Sequence, residues 1–163
     1  MRNRIWAYLT TVVMSLAVVG VTLASGADLT PSERARIEKE VLAANTEMNR
    51  AADGLDVDRF FDWILDEADG PIIQDGRLFE TRDEALAVVR QGYRGIGSLH
   101  RTYQKTHVTV LSKDAALVTT SGSTRMELLD GRSIQAPFAA SFVFVLRDGA
   151  WKILQGHYSV PNR

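Results

Sequence analysis

Tyr103, His107 and His157, in the second half of this chain, carry side chains suited to proton transfer. Imidazole titrates near neutrality, and a phenol beside it can donate to an oxygen that gathers charge. Brought together in an apolar cavity, they suit a dehydration or isomerisation that needs no cofactor. His157 would serve as general acid or base, with Tyr103 or His107 assisting. The competing reading is structural: His157 bonds Ser159, Gln155 or a backbone group and holds the end of a sheet. Two histidines also raise metal binding, but no third ligand stands at suitable spacing, so neither metal nor cofactor is expected.

Whether these groups meet depends on strand register. Lys113-Asp114 and Asp148-Gly149 fit two-residue hairpin turns, and Asp130-Gly131-Arg132 fits a three-residue turn with a glycine bulge. The stretches between them are rich in Val, Thr, Phe and Ile, as half-buried strands require. Strict alternation then sets Leu146 opposite Trp151, Phe144 opposite Ile153, Phe142 opposite Gln155 and Ala140 opposite His157. One face gathers Phe138, Ala140, Phe142 and Phe144 with Trp151, Ile153, Gln155, His157 and Ser159. Thr120, Gly122, Thr124 and Met126 join it from the preceding strand. A strict Lys113-Asp114 turn adds His107 beside Thr120, with Tyr103 two pairs further along. A mostly apolar face with a few polar groups at one end is how a ligand pocket is built. It carries no Asp or Glu, which disfavours carboxylate chemistry.

The upstream elements close the pocket. Thr30, Pro31 and Glu33 form an N-cap, a first-turn proline and a capping box. The helix they start, over residues 31–52, sets Ile37, Val41, Ala44, Met48, Ala51, Ala52 and Leu55 on one side. Asn45 sits at the edge of that stripe, within reach of a cavity or in solvent. Gly54 ends the helix and Asp56 caps a short aromatic one with Phe60, Phe61, Trp63, Ile64 and Leu65. Pro71–Gln74 and Arg77–Phe79 flank an Asp75-Gly76 turn, and Thr81 with Glu84 starts a third helix. The expected ligand-binding residues are Asn45, Trp63, Thr120, Phe138, Phe142, Gln155 and His157. The opposite face of the long strands carries Leu117, Val143, Val145 and Leu154, enough apolar surface to predict a homodimer.

Composition narrows the partners. The formal charge is near neutral and 45% of residues are hydrophobic, so a sizeable core is available and nucleic acid is not expected. There is no cysteine, which removes disulfides and thiolate chemistry. Arg2 and Arg4, the apolar run Ile5–Leu23 and the small residues Ser25-Gly26-Ala27 predict a signal peptide over residues 1–27 and an exported domain over 28–163. The alternative is an uncleaved membrane anchor, since the run is long enough to span.

The element order is helix, helix, short hairpin, helix and four long antiparallel strands, an α+β arrangement. That order, the Thr106–Val118 stretch THVTVLSKDAALV and the SFVFVLRDGAWKILQGHYSVP ending resemble the SnoaL-like branch of the nuclear transport factor 2-like superfamily. They are similar also to the association domain of calcium/calmodulin-dependent protein kinase. The resemblance implies a cone, a curved sheet wrapped around the long first helix with a pocket at its open end, and dimers through the outer face. The kinase association domains place arginines where this chain has Gly122 and Phe142, which argues against a carboxylate or phosphate held deep inside. Fold likeness alone does not decide function. A small apolar or amphipathic ligand held without catalysis is the leading expectation, the His157 enzyme the alternative, and an assembly module the third.

Overall fold

A computed structural model describes residues 29–66 and 71–161. The expected leader lies outside the described residues. Among those described, no helix is long and apolar enough to cross a membrane.

The first helix, α1 (Pro31–Asp53), starts where its cap requires. The Glu33 N–H donates to Thr30 Oγ1 at 3.2 Å, and the Thr30 N–H donates back to Glu33 Oε2 at 2.8 Å. Its buried positions, Ile37, Val41, Asn45, Met48, Ala51 and Ala52, recur at helical spacing. After Gly54 the chain turns through Leu55 at φ 59°, and Asp56 caps α2 (Val57–Phe61) by accepting from the Arg59 N–H. Strands β1 (Ile72–Gln74) and β2 (Arg77–Phe79) follow, joined through Asp75 and Gly76 at φ 49° and 80°. Those positive φ values are what a two-residue type I′ turn demands. Helix α3 (Arg82–Tyr93) is capped by Thr81, while the Glu84 carboxylate reaches one residue further back, to the Glu80 N–H.

Four long strands complete the chain: β3 (Ile96–Ser112), β4 (Ala115–Leu128), β5 (Ser133–Arg147) and β6 (Ala150–Ser159). The six-stranded sheet has the order β2-β1-β6-β5-β4-β3, and β1 pairs with β6 in parallel. All three helices add side chains to a single apolar cluster on the inner face. Ile37, Val41, Met48, Phe61, Val118, Phe144 and Ile153 are its largest fully buried side chains. The α+β order and the curved sheet around the first helix are those expected.

The register corrects part of the pocket face. Asp148-Gly149 turns as expected, and Leu146 faces Trp151 and Phe144 faces Ile153. Leu154 is then an extra residue, a β-bulge, so Val143 faces Gln155, Phe142 faces Gly156, Ser141 faces His157 and Ala140 faces Tyr158. A one-residue slip exchanges faces. Gln155, His157 and Ser159 therefore lie on the outer face, and Gly156 and Tyr158 take their places inside. On β3 the Lys113-Asp114 turn is present, but Leu111 bulges, which pairs Thr106 rather than His107 with Thr120 and turns His107 outward. A second bulge at Gln104 reverses the slip and brings Tyr103 back inside, opposite Gly122. The β4–β5 loop is Leu129-Asp130-Gly131, one residue earlier than expected. That moves the register by two and leaves the face unchanged.

Candidate ligand cavity

A cavity of about 570 Å³ lies between the inner face of the sheet and the helices, within the roughly 300–1,000 Å³ typical of small-molecule sites. Most of its wall is apolar. Met48 comes from α1, Phe61 from α2 and Val89 from α3, with Met126, Ile134 and Phe142 from the sheet. The exposed lining residues Val88 and Gly92 of α3, Asp75 and Pro161 mark its mouth. Asp75 fixes that rim: its N–H donates to the Tyr158 carbonyl at 3.0 Å, and its Oδ1 accepts from the Val160 N–H at 3.0 Å.

One side of the cavity is polar. Arg101 and Tyr103, two apart on β3, point inward together. Arg101 Nη1 donates to Asp53 Oδ1 at 2.5 Å, and its Nη2 donates to the Tyr93 hydroxyl at 3.3 Å. Burial opposes the guanidinium charge, but Tyr93, Tyr103 and Asp53 more than offset it, so Arg101 stays protonated. The Tyr103 hydroxyl is buried and has no hydrogen-bond partner among the described residues. Burial pushes its pKa well above the ordinary phenol value, against the opposing pull of the Arg101 charge. Tyr103 is thus a proton-bearing donor at ordinary pH, not a base. Its ring meets Phe138 edge-on at 5.6 Å, and Phe138 stacks on Tyr158 at 5.6 Å. The Tyr158 hydroxyl lies 3.4 Å from Thr124 Oγ1. Thr120 lines the wall, but its hydroxyl is engaged, donating to the Lys105 carbonyl at 2.9 Å beside Thr106 Oγ1 at 3.0 Å.

Of the residues singled out from sequence, the structure brings Tyr103, Thr120, Phe138 and Phe142 to the cavity. His107, Gln155 and His157 are on the other side of the sheet, for the register reasons given above. Trp63 sits at the β6 edge. Its carbonyl accepts from the Ile153 N–H at 2.8 Å, and Lys152 Nζ lies 5.4 Å from its ring centre. Asn45 is buried among the α1 stripe, away from the cavity lining, with Oδ1 unpartnered. The pocket face of the long strands carries no carboxylate, but Asp75 lines the mouth and Asp53, in the last turn of α1, pairs with Arg101 from outside the lining. Arg101, Tyr93, Tyr158 and Asp53 escaped the sequence reading. Arg101 was recoverable, since it shares Tyr103's face by alternation. Asp53 carries no such signal.

Among the described residues no group of three or more His, Cys, Asp or Glu side chains gathers as a metal site.

Comparison with known proteins places the geometry in context. Residues 41–163 match the SnoaL-like domain family. A candidate dehydratase of the nuclear transport factor 2-like family from Streptomyces avermitilis is 21% identical. It superposes with a TM-score of 0.70 over 80% of this chain and 99% of its own. A candidate calcium/calmodulin-dependent protein kinase II association domain from Xanthomonas campestris is 18% identical, with a TM-score of 0.65 over 76% of this chain and 87% of its own. The type-3 hexachlorocyclohexane dehydrochlorinase of Novosphingobium barchaimii is 14% identical, with a TM-score of 0.67 over 82% and 92%. At these identities the likeness is one of fold. No curated protein matches the sequence.

Proposed function

The chain belongs to the SnoaL-like domain family, and from that premise we propose that it is an exported domain holding one small, largely apolar molecule behind its sheet. The observation that carries the proposal is the cavity: about 570 Å³, mainly apolar, with Arg101 and Tyr103 on one wall and Asp75 at the mouth. One similar structure is named for hexachlorocyclohexane, a small apolar molecule, which supports the same use of the fold. Export rests on Arg2, Arg4 and the apolar run after them. Pairing of two copies through the outer face rests on Leu117 and Val143, half-buried neighbours across β4 and β5. The lyase or isomerase built on His157 is left without its base, because that ring lies on the outer face.

The test is saturable binding of an uncharged fluorescent probe, N-phenylnaphthylamine. Ala140 is 6% exposed and lines the wall, so Ala140→Trp fills the cavity from the sheet side. We expect one site per chain in the wild type and its loss in a still-folded Ala140→Trp. Equal binding by the filled variant, or no saturable binding by the wild type, would contradict the proposal.

A further inference from the structure

We infer that the ligand is uncharged and presents a hydrogen-bond acceptor, most simply a carbonyl oxygen, to Tyr103 and Arg101, and that Asp53 sets this preference by neutralising the guanidinium. The inference rests on the reading that the cavity holds a small molecule, and it adds which chemical class enters.

One hydroxyl stands orphaned in the cavity wall. Tyr103 OH is buried without a partner among the described residues, and a buried polar group left unmade is costly. A ligand atom within its reach would remove that cost. A guanidinium can only donate, whereas a phenol donates or accepts. The one ligand group both can serve is an acceptor.

Charge points the same way. A buried arginine with nothing beside it would be a carboxylate receptor, since its planar fork matches two oxygens at once. Here Asp53 already occupies Arg101 at 2.5 Å, and the two side chains are 13% and 30% exposed. Arg101 is the sole lysine or arginine among the lining residues, and Asp75 adds a negative charge at the mouth. A ligand carboxylate would be stripped of water and would meet a guanidinium already committed to Asp53, with no other cation in the lining to compensate it. An ammonium group at the same end would meet Arg101 itself. Only a neutral acceptor is free of both penalties. The raised phenol pKa fits this, because Tyr103 keeps its proton across the working pH range.

The experiment titrates the full chain with N-phenylnaphthylamine and displaces it with two ligands of matched shape, decyl methyl ketone and undecanoate, at neutral pH. The ketone should compete about tenfold or more better than the carboxylate. Tyr103→Phe removes the hydroxyl alone, so it should lower ketone affinity about tenfold relative to that of the probe, which has no carbonyl to lose, the equivalent of one hydrogen bond. Asp53→Asn frees the guanidinium and should narrow or invert the preference toward undecanoate. If Asp53→Asn does not fold, Tyr103→Phe decides alone. Equal competition by the two ligands in the wild type, or an unchanged ketone preference in Tyr103→Phe, would overturn the ligand class while leaving the cavity a binding site. Failure of the wild type to bind the probe at all would overturn the binding reading and this inference with it.

Discussion

Gly122 is where the sheet's irregularity and the cavity's polar side meet, and it offers the sharpest structural test. It faces Tyr103 on one neighbouring strand and Phe138 on the other, beside the Gln104 bulge that returns Tyr103 to the inner face. A Cβ at this position would lie 2.0 Å from the Thr102 carbonyl oxygen and 3.0 Å from Phe138 Cε1. A carbon approaches a backbone oxygen no nearer than about 3.3 Å, so the strands would have to give by more than 1 Å. They cannot do so without losing the ladder bonds on either side. At about 1 kcal/mol for each bond lost, and 1–3 for a buried group left unpaired, Gly122→Ala should cost roughly 3–5 kcal/mol. The stiffer unfolded chain returns only about 0.4–1 kcal/mol. The net loss should lower Tm by about 10 °C, read by calorimetry and checked by urea melts. Gly92→Ala is the control: a Cβ there meets nothing within 4 Å, and the helical setting should make it neutral or stabilising by up to about 1 kcal/mol. A Gly122→Ala variant that melts with the wild type would refute the close approach, and with it the register that places Tyr103.

Three further outcomes follow from other parts of the molecule. Met48 is fully buried in the α1 stripe, so Met48→Asp should cost several kcal/mol; circular dichroism should show the variant largely unfolded, and a native-like melt would contradict the stripe. Hydrogen bonds from Thr30 hold the Glu33 carboxyl below its ordinary value. The stability this carboxylate adds is therefore complete above the unfolded carboxyl's range and is lost as pH falls through the lowered folded value. Thr30→Ala should cost about 1 kcal/mol at neutral pH and less in strongly acid buffer, by urea melts in each; an unchanged difference would contradict the coupling. Sedimentation at micromolar concentration should give twice the monomer mass, reduced to the monomer by Val143→Arg; a monomeric wild type would remove the outer-face pairing.

The legible parts of this fold were those whose signal is local and chemical. Asp75-Gly76 and Asp148-Gly149 announce turns that need positive φ, and Thr30-Pro31 with Glu33 marks where α1 starts. The helical stripe of Ile37, Val41 and Met48 identifies the face on the core. The misplacement of His107, Gln155 and His157 traces to single-residue bulges at Leu111 and Leu154, which carry no glycine or proline and are marked only by the apolar pairs Val110-Leu111 and Ile153-Leu154, where alternation breaks. One bulge exchanges every later side chain on a strand, which is why His157 and Gln155 leave the cavity together and Tyr158 enters it. On β3 the Leu111 and Gln104 bulges cancel, so Tyr103 is inside although His107 between them is not. Asp53 and Arg101 stand 48 residues apart, and nothing in their local patterns joins them. Only the way α1 ends against β3 does so.

The most direct measurement is nuclear magnetic resonance of the chain with bound decyl methyl ketone, recording through-space contacts from the ligand to side-chain methyl groups. Met126, Ile134 and Ala136 line the cavity, whereas Leu117 and Val143 lie on the outer face. The account predicts contacts to the first three and none to the other two. Contacts to Leu117 and Val143 with none to Met126, Ile134 or Ala136 would contradict it.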